Sequence, residues 1–192
     1  IEATGPDHQV TTEFTNTLTG DVNSDLAYVL GGVRQADGSY KFTEDSKIAV
    51  DGAAAVQADK AISIDASGKA LDLKVTNGMF GIAHSVAQNA SITADKLNVD
   101  VSGSSVKAIS AQNTSSEGRA NVTINADTDI VAHSTGSAYG IFANENADIT
   151  INGNTNIVID APSANTGWFI NSAAIRAYSA NYNNPDASST IN

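Results

Sequence analysis

A three-part unit recurs along this chain, and it limits the fold more than any other feature of the sequence. The unit opens with a short alternating segment: Ala61-Ile62-Ser63-Ile64-Asp65, Ala90-Ser91-Ile92-Thr93-Ala94, Asn121-Val122-Thr123-Ile124-Asn125 and Asp148-Ile149-Thr150-Ile151-Asn152. Alternation with period two marks a strand with Ile and Val on one face and Ser and Thr on the other. With the first apolar residue of each copy taken as equivalent, residues 62, 92, 122 and 149 stand 30, 30 and 27 apart. A polar turn follows, then a second apolar strand: Leu71-Asp72-Leu73-Lys74-Val75, Leu97-Asn98-Val99-Asp100-Val101, Ile130-Val131 and Ile157-Val158-Ile159. The unit closes with a strand of small residues: Phe80-Gly81-Ile82-Ala83, Lys107-Ala108-Ile109-Ser110-Ala111, Tyr139-Gly140-Ile141-Phe142-Ala143 and Ala173-Ala174-Ile175-Arg176-Ala177. An Asn tends to end it, at Asn89, Asn113, Asn144 and Asn181.

Three strands and three turns in about 30 residues are too few for a propeller blade of about 40–45 residues. No amphipathic helix separates the strands, which removes leucine-rich and βαβ repeats. The pattern predicts an all-β solenoid, a parallel β-helix of about 30 residues per coil whose coils stack about 4.8 Å apart. Small residues at Gly81, Ala108, Gly140 and Ala174 let each coil turn tightly over a narrow core. Asn at repeated positions suits the left-handed conformation and stacked amide ladders. A β-sandwich of many short strands is the alternative that composition allows, but its strands would not repeat one three-part order.

Ser, Thr, Asn and Asp make up 72 of the 192 residues. These side chains compete for backbone hydrogen bonds and favour turns, so a helical bundle is excluded. No apolar run reaches the roughly 18 residues of a membrane-spanning helix. The absence of cysteine removes disulfides, thiol catalysis and Cys-based metal sites. A net charge of −11 with only Arg34, Arg119 and Arg176 as arginines opposes nucleic acid as a partner.

The ends depart from the pattern. Residues 1–57 are read as irregular N-terminal coils or a cap, and 58–192 as regular coils. Segments 26–30 and 47–51 look like strands of earlier coils, and Gln35-Ala36-Asp37-Gly38-Ser39 looks like the turn of a hairpin with Tyr40-Lys41-Phe42. Ser188-Ser189-Thr190-Ile191-Asn192 resembles the opening of a further coil, and Ile1 begins the chain without Met or signal peptide. The expectation is a processed piece of a longer solenoid, truncated at its C-terminal end.

The run Gly140-Ile141-Phe142-Ala143-Asn144 leading to Ala147-Asp148-Ile149-Thr150-Ile151-Asn152-Gly153 resembles passenger domains of bacterial autotransporters (type V secretion) and, more broadly, β-helical surface adhesins. The resemblance spans about residues 58–192 and rests on repeat style and on the Ala, Asn, Ser, Thr and Gly bias. It implies a right-handed helix, display outside a bacterial cell, and contact with the membrane only through a transporter barrel outside these residues. It also implies a non-enzymatic adhesin or stalk, with host glycans, matrix proteins or like chains on neighbouring cells as partners.

Candidate sites are few. A serine hydrolase needs a nucleophile with His and Asp partners, but no Gly-x-Ser-x-Gly elbow is present and Ser137 beside Gly136 reads as a turn residue. The carbohydrate-active alternative, a lyase or glycoside hydrolase, needs carboxylates or basic groups gathered on one face. Asp127-Thr128-Asp129, with Asp95 and Asn154 in neighbouring coils, is the densest acidic spot, and it also reads as a solvated corner. Lys96, Lys107 and Arg119 look scattered. No calcium-loop motif is present, and no metal or cofactor is expected. The aromatics Trp168, Phe169, Tyr178 and Tyr182 are the candidate binding residues. They fall in a coil lengthened to 40 residues between Ile151 and Ile191, and inserted loops carry function on solenoids. For Trp168 and Phe169 the preferred reading is a plug for the helix interior or a guard of its edge, because large apolar groups are usually buried.

Overall fold

The structure is a computed structural model that describes residues 9–13, 27–29, 32–52, 54–115, 117–161, 172–178 and 188–192. Among the described residues the chain is all-β, with no helix, and it winds as a parallel β-solenoid of about 4 turns with coils roughly 28 residues apart. Its first strands are β1 (Gln9–Glu13), β2 (Ala27–Val29), β3 (Val33–Arg34), β4 (Tyr40–Lys41), β5 (Ser46–Asp51) and β6 (Val56–Ala58). The regular coils contain β7 (Ile62–Thr76), β8 (Phe80–His84), β9 (Asn89–Gln112) and β10 (Ala120–Asn144). Then come β11 (Ala147–Ile151), β12 (Thr155–Asp160), β13 (Ser172–Tyr178) and β14 (Ser189–Ile191). β9 and β10 are long because each continues round the corners of its coil; β10 pairs in turn with β11, β12 and β13.

The coils have three sides. The first contains residues 62–66, 89–94 and 120–125 with β11 and β14. The second stacks β5, residues 70–76, 96–103 and 127–134, and β12. The third stacks β6, β8, residues 105–112 and 137–144, and β13. Burial alternates along β5 and much of β7, so every second side chain enters the core. On the second side Ile48, Leu73, Val99 and Ile130 form one inner column and Val50, Val75, Val101 and Ala132 another. Each buried Ile, Leu or Val contributes about 1.5–3 kcal/mol of transfer free energy. Thr128 is the polar member of an inner column above Leu97, and its hydroxyl donates to the Ala126 carbonyl at 3.0 Å.

The stacking corrects the register read from the repeat. Ile62 pairs with Ala90, Ala90 with Val122, Val122 with Ile149 and Ile149 with Ile191, in steps of 28, 32, 27 and 42 residues. Ile92 stacks instead on Ile64 and Ile124. An Ile-x-Ile segment offers two inward positions, and a slip of two residues leaves every side chain on its own face. Hydrophobic pattern alone therefore cannot separate the two alignments.

The third side bends. A Cβ at Gly81 would collide with Val99 Cγ1, and one at Gly140 would lie 2.5 Å from Ile157 Cγ2, so both positions face the core. The next residues, Ile82 and Ile141, are also core members. Two successive inward residues break the alternation at the same register in each coil, and Ala108-Ile109 occupies that register in the coil between. The small residue makes the bend possible.

At the N-terminal edge β1 pairs parallel with β5, but β2 pairs antiparallel with β6. Residues 27–29 are therefore not a parallel strand of an earlier coil. β3 and β4 form an antiparallel hairpin, Val33 opposite Lys41 and Arg34 opposite Tyr40, across a turn in which Asp37 accepts from Ser39 N and Oγ. Reversed strands at a solenoid edge oppose further parallel pairing. Among the described residues the left-handed non-glycine positions are Asn77, Glu145 and Asn146, not Asn89, Asn113 or Asn144; Asn181 lies outside the described residues. Amide ladders do form: Asn121 Nδ2 donates to Asn89 Oδ1 at 2.9 Å and Asn152 Nδ2 to Asn125 Oδ1 at 2.8 Å.

Candidate functional site

Because two successive residues turn inward at residues 140 and 141, their neighbours Tyr139 and Phe142 come together outside the main core cluster, where each is still buried at 7% exposure. Their ring centroids are 5.1 Å apart. Parallel register then places Phe80 and Tyr139 on either side of Lys107, and Ser110 and Arg176 on either side of Phe142. Lys107 Nζ lies 4.7 Å from the Phe142 centroid and 5.7 Å from that of Phe80. The Arg176 guanidinium lies 4.9 Å from the Tyr178 ring, 5.3 Å from Tyr139 and 5.9 Å from Phe142, and Nη1 donates to the Tyr139 hydroxyl at 2.7 Å. Cations within about 6 Å of a ring face are attracted by its quadrupole. Burial, then the like charge of Arg176, pulls the Lys107 ammonium below its ordinary range.

Of the four aromatics singled out in the sequence, Tyr178 ends β13, is 43% exposed and belongs to this patch. Trp168, Phe169 and Tyr182 lie outside the described residues. Phe80, Lys107, Tyr139, Phe142 and Arg176 carry the patch yet escape a reading of the linear sequence. Lys107 is not one of several scattered bases; aligning the third strands of successive coils on the Gly81, Ala108, Gly140 and Ala174 column would have brought it between two rings.

The second side carries the acids. A shallow groove of about 430 Å3 there is lined by Lys47, Asp72, Lys74, Asn98 and Asp100 among others. Each of its carboxylates has a partner: Asp72 accepts from Asn98 Nδ2, and Asp100 lies 3.9 Å from Lys74 Nζ. Asp129 is paired with Lys96 at 2.5 Å, and Asp127 accepts from Asn154 N at 2.8 Å and Nδ2 at 3.2 Å. Those two bonds hold the Asp127 carboxyl below the usual carboxylate range, which suits a corner brace and makes it a poor proton donor at neutral pH. Asp95 accepts from Gly68 N at 3.0 Å. The Asp127-Thr128-Asp129 segment is thus a hydrogen-bonded corner, with Thr128 pointing inward.

Among the described residues, His84, His133 and the candidate serine stand apart. Ser137 Oγ lies 3.0 Å from Ser105 Oγ. His84 is buried between two carbonyls, Nδ1 3.0 Å from Ala58 O and Nε2 2.7 Å from Gln88 O. His133 Nδ1 lies 3.0 Å from Asp160 Oδ2, beside a hollow of about 260 Å3 shared with Ser102 and Ser134. Ser134 Oγ donates to the Ser104 carbonyl rather than to that imidazole. Among the described residues no group of three His, Cys, Asp or Glu side chains is arranged to hold a metal ion.

Fold and patch together define, among the described residues, a parallel β-solenoid with a cluster of aromatic rings and cations on its third side. Comparison with protein-family models, characterised proteins and solved structures finds no match to this chain.

Proposed function

We propose that this chain belongs to a bacterial surface or secreted protein of the autotransporter-passenger kind and acts there as a non-enzymatic adhesin. The observation that carries the reading is the third-side patch. The outer faces of the first and second sides are laddered with short or mutually paired polar groups, such as Ser63–Ser91 and Lys96–Asp129. Among the described residues, aromatic rings and cations gather across four successive coils only on the third side. Tyr178, 43% exposed, and the half-buried Arg176 are of the residue types that dominate recognition energetics, while Tyr139 and Phe142 are each only 7% exposed.

Binding rather than turnover is also supported by the acids. A glycoside hydrolase needs one carboxyl kept protonated and a second poised across the scissile bond. Asp72, Asp100, Asp127 and Asp129 are instead engaged with Asn98, Lys74, Asn154 and Lys96. On a cell surface that displays many copies of such a chain, weak contacts sum to strong attachment. The partners are host glycans, matrix proteins or like chains on neighbouring cells, and the place of action is the extracellular surface.

The test is binding of the purified chain to an immobilised panel of glycans, mucins and matrix proteins at physiological salt. Saturable binding lost in Tyr178→Ala supports the adhesive reading, and Trp168→Ala reports whether the long coil takes part. Silence across the panel overturns it in favour of a stalk.

A further inference from the structure

We propose that the second side of the solenoid carries a track for an uncharged polysaccharide, which lies along the coil axis from Lys47 to Asp160. The inference rests on the adhesive reading, in which glycans are among the partners, and adds a second contact face with its ligand class.

The first argument is space. Outward side chains on this side stack in columns, and a short residue among long ones leaves a hollow. Ala49 shares its column with Lys74 and Asp100, beside the column of Lys47, Asp72 and Asn98, and the hollow of about 430 Å3 opens there. That volume lies within the range of about 300–1,000 Å3 typical of small-ligand sites. Ser102 stacks against His133 and His133 against Asp160, and the second hollow, of about 260 Å3, opens beside that short serine. Asp100 from the first hollow and His133 Nε2 from the second are 3.9 Å apart, so the two hollows are neighbours on one face. From β5 to β12 the track crosses β7, β9 and β10, about 19 Å at strand spacing. A linear chain of several sugars fits that length, whereas a monosaccharide would leave most of it empty.

The second argument is hydrogen-bonding capacity. Asp72 accepts from Asn98 Nδ2, and a carboxylate offers further acceptor sites beyond that one. Lys74 Nζ lies 3.9 Å from Asp100, and an ammonium carries several donors. Donors and acceptors therefore alternate along the track. A sugar hydroxyl both donates and accepts, so one polyol chain engages the two kinds together. The pairs also hold Asp72 and Asp100 in place, so less rotamer freedom is lost on binding. The Ala49 methyl supplies an apolar spot for a C–H face of the ring.

The third argument is charge. In the larger hollow Lys47 and Lys74 offset Asp72 and Asp100, so its formal charges cancel within a chain of net charge −11. The carboxylates, with Asp160 beyond them, repel a polyanion, and the two lysines repel a polycation. An uncharged chain meets neither cost.

Titration of the full chain followed by heteronuclear NMR decides it. The neutral probes are oligosaccharides of dextran, mannan, laminarin and galactan; oligogalacturonate is the acidic probe and chitosan oligomers are the cationic one. Expected is saturable binding of at least one neutral oligosaccharide, with shifts at Asp72, Asn98 and His133, and tighter binding of long oligomers than of the corresponding disaccharide. Raising salt from about 50 to 200 mM should change the affinity less than about twofold, since no net charge is neutralised. Ala49→Phe fills the larger hollow without removing a polar group, and Asp72→Ala removes a charged acceptor; each should weaken binding roughly tenfold or more. Ser63→Ala on the first side should leave it unchanged, with circular dichroism confirming that every variant folds. No binding of any neutral probe, tighter binding of oligogalacturonate or chitosan, or binding indifferent to both Ala49→Phe and Asp72→Ala overturns the proposal. If that happens while panel binding still depends on Tyr178, only this inference fails; if the panel is silent as well, the adhesive reading fails with it.

Discussion

Arg119 holds Asp148 through two parallel bonds, Nε to Oδ2 at 2.5 Å and Nη2 to Oδ1 at 2.6 Å. The same guanidinium also donates from Nη1 to Ser188 Oγ at 2.8 Å and from Nη2 to Ser188 O at 3.0 Å, so it ties three successive coils at one corner. Arg119→Met should destabilise the chain by about 1–2 kcal/mol, above the range of an isolated surface pair because the bond is bidentate and carries a backbone contact. The Arg119 bond holds the Asp148 carboxyl below its ordinary range. A depressed folded-state pKa gives stability that is present above the unfolded value, about 3.9, and is lost as pH falls through the folded value. Urea melts of wild type and Arg119→Met should therefore differ at neutral pH and converge in acid; a constant gap across that range would refute the pairing.

The bend of the third side depends on the absence of a side chain. Gly140→Val should cost at least about 1–3 kcal/mol, since its Cβ meets Ile157 Cγ2 and the Ala174 carbonyl within 2.7 Å. The bend also brings Tyr139 onto Phe142, so ligand binding should weaken along with the melting temperature. A variant of undiminished stability would show that the side does not bend over a closed core.

How much of this could be read in advance depends on which property is periodic. Ile62-Ser63-Ile64 and its copies announce strands and a solenoid because burial repeats every second residue and every coil. The same repetition hides the register, since Ile62 and Ile64 are equivalent to any hydrophobic pattern. Lys107 and Phe142 fall far apart in sequence from Phe80 and Arg176, and only stacking shows that they share a surface. Asp127 and Asp129 illustrate the opposite case: proximity in sequence marked a dense acidic spot that could serve catalysis, while Asn154 and Lys96 turn it into a braced corner. The antiparallel course of residues 27–29 left no mark, because strand direction is not written in an alternation.

His84 illustrates a core polar group held by the coil itself. Its two nitrogens face the Ala58 and Gln88 carbonyls at opposite edges of the ring, which fixes the turn after β8. His84→Leu keeps the volume and removes both contacts, and should cost about 1–3 kcal/mol. Amide hydrogen exchange should accelerate first at Ser85 and Asn121, which donate to those same carbonyls. Loss of stability spread evenly over the chain, with no local acceleration, would contradict this role.

Lys107 should trade stability for binding. Burial and Arg176 disfavour its ammonium in the folded chain and lower its pKa there, whereas the unfolded side chain titrates near the ordinary value of about 10.4. Between the folded and unfolded values the unfolded chain binds more protons, so stability rises with pH through that window. Below it, the full penalty of holding a charged Lys107 applies. Lys107→Met removes the penalty together with the titration. Relative to wild type, the variant should gain most near neutral pH, and its advantage should shrink as the solution becomes alkaline. Its two cation–ring contacts work against that gain, each worth about 0.5–1 kcal/mol at an exposed site, so the pH trend is the cleaner reading. Denaturant melts of the two proteins from neutral to alkaline pH measure it. A residue that costs stability at the pH where it binds is expected of a ligand site; a stability difference independent of pH would mean that Lys107 is an ordinary surface lysine.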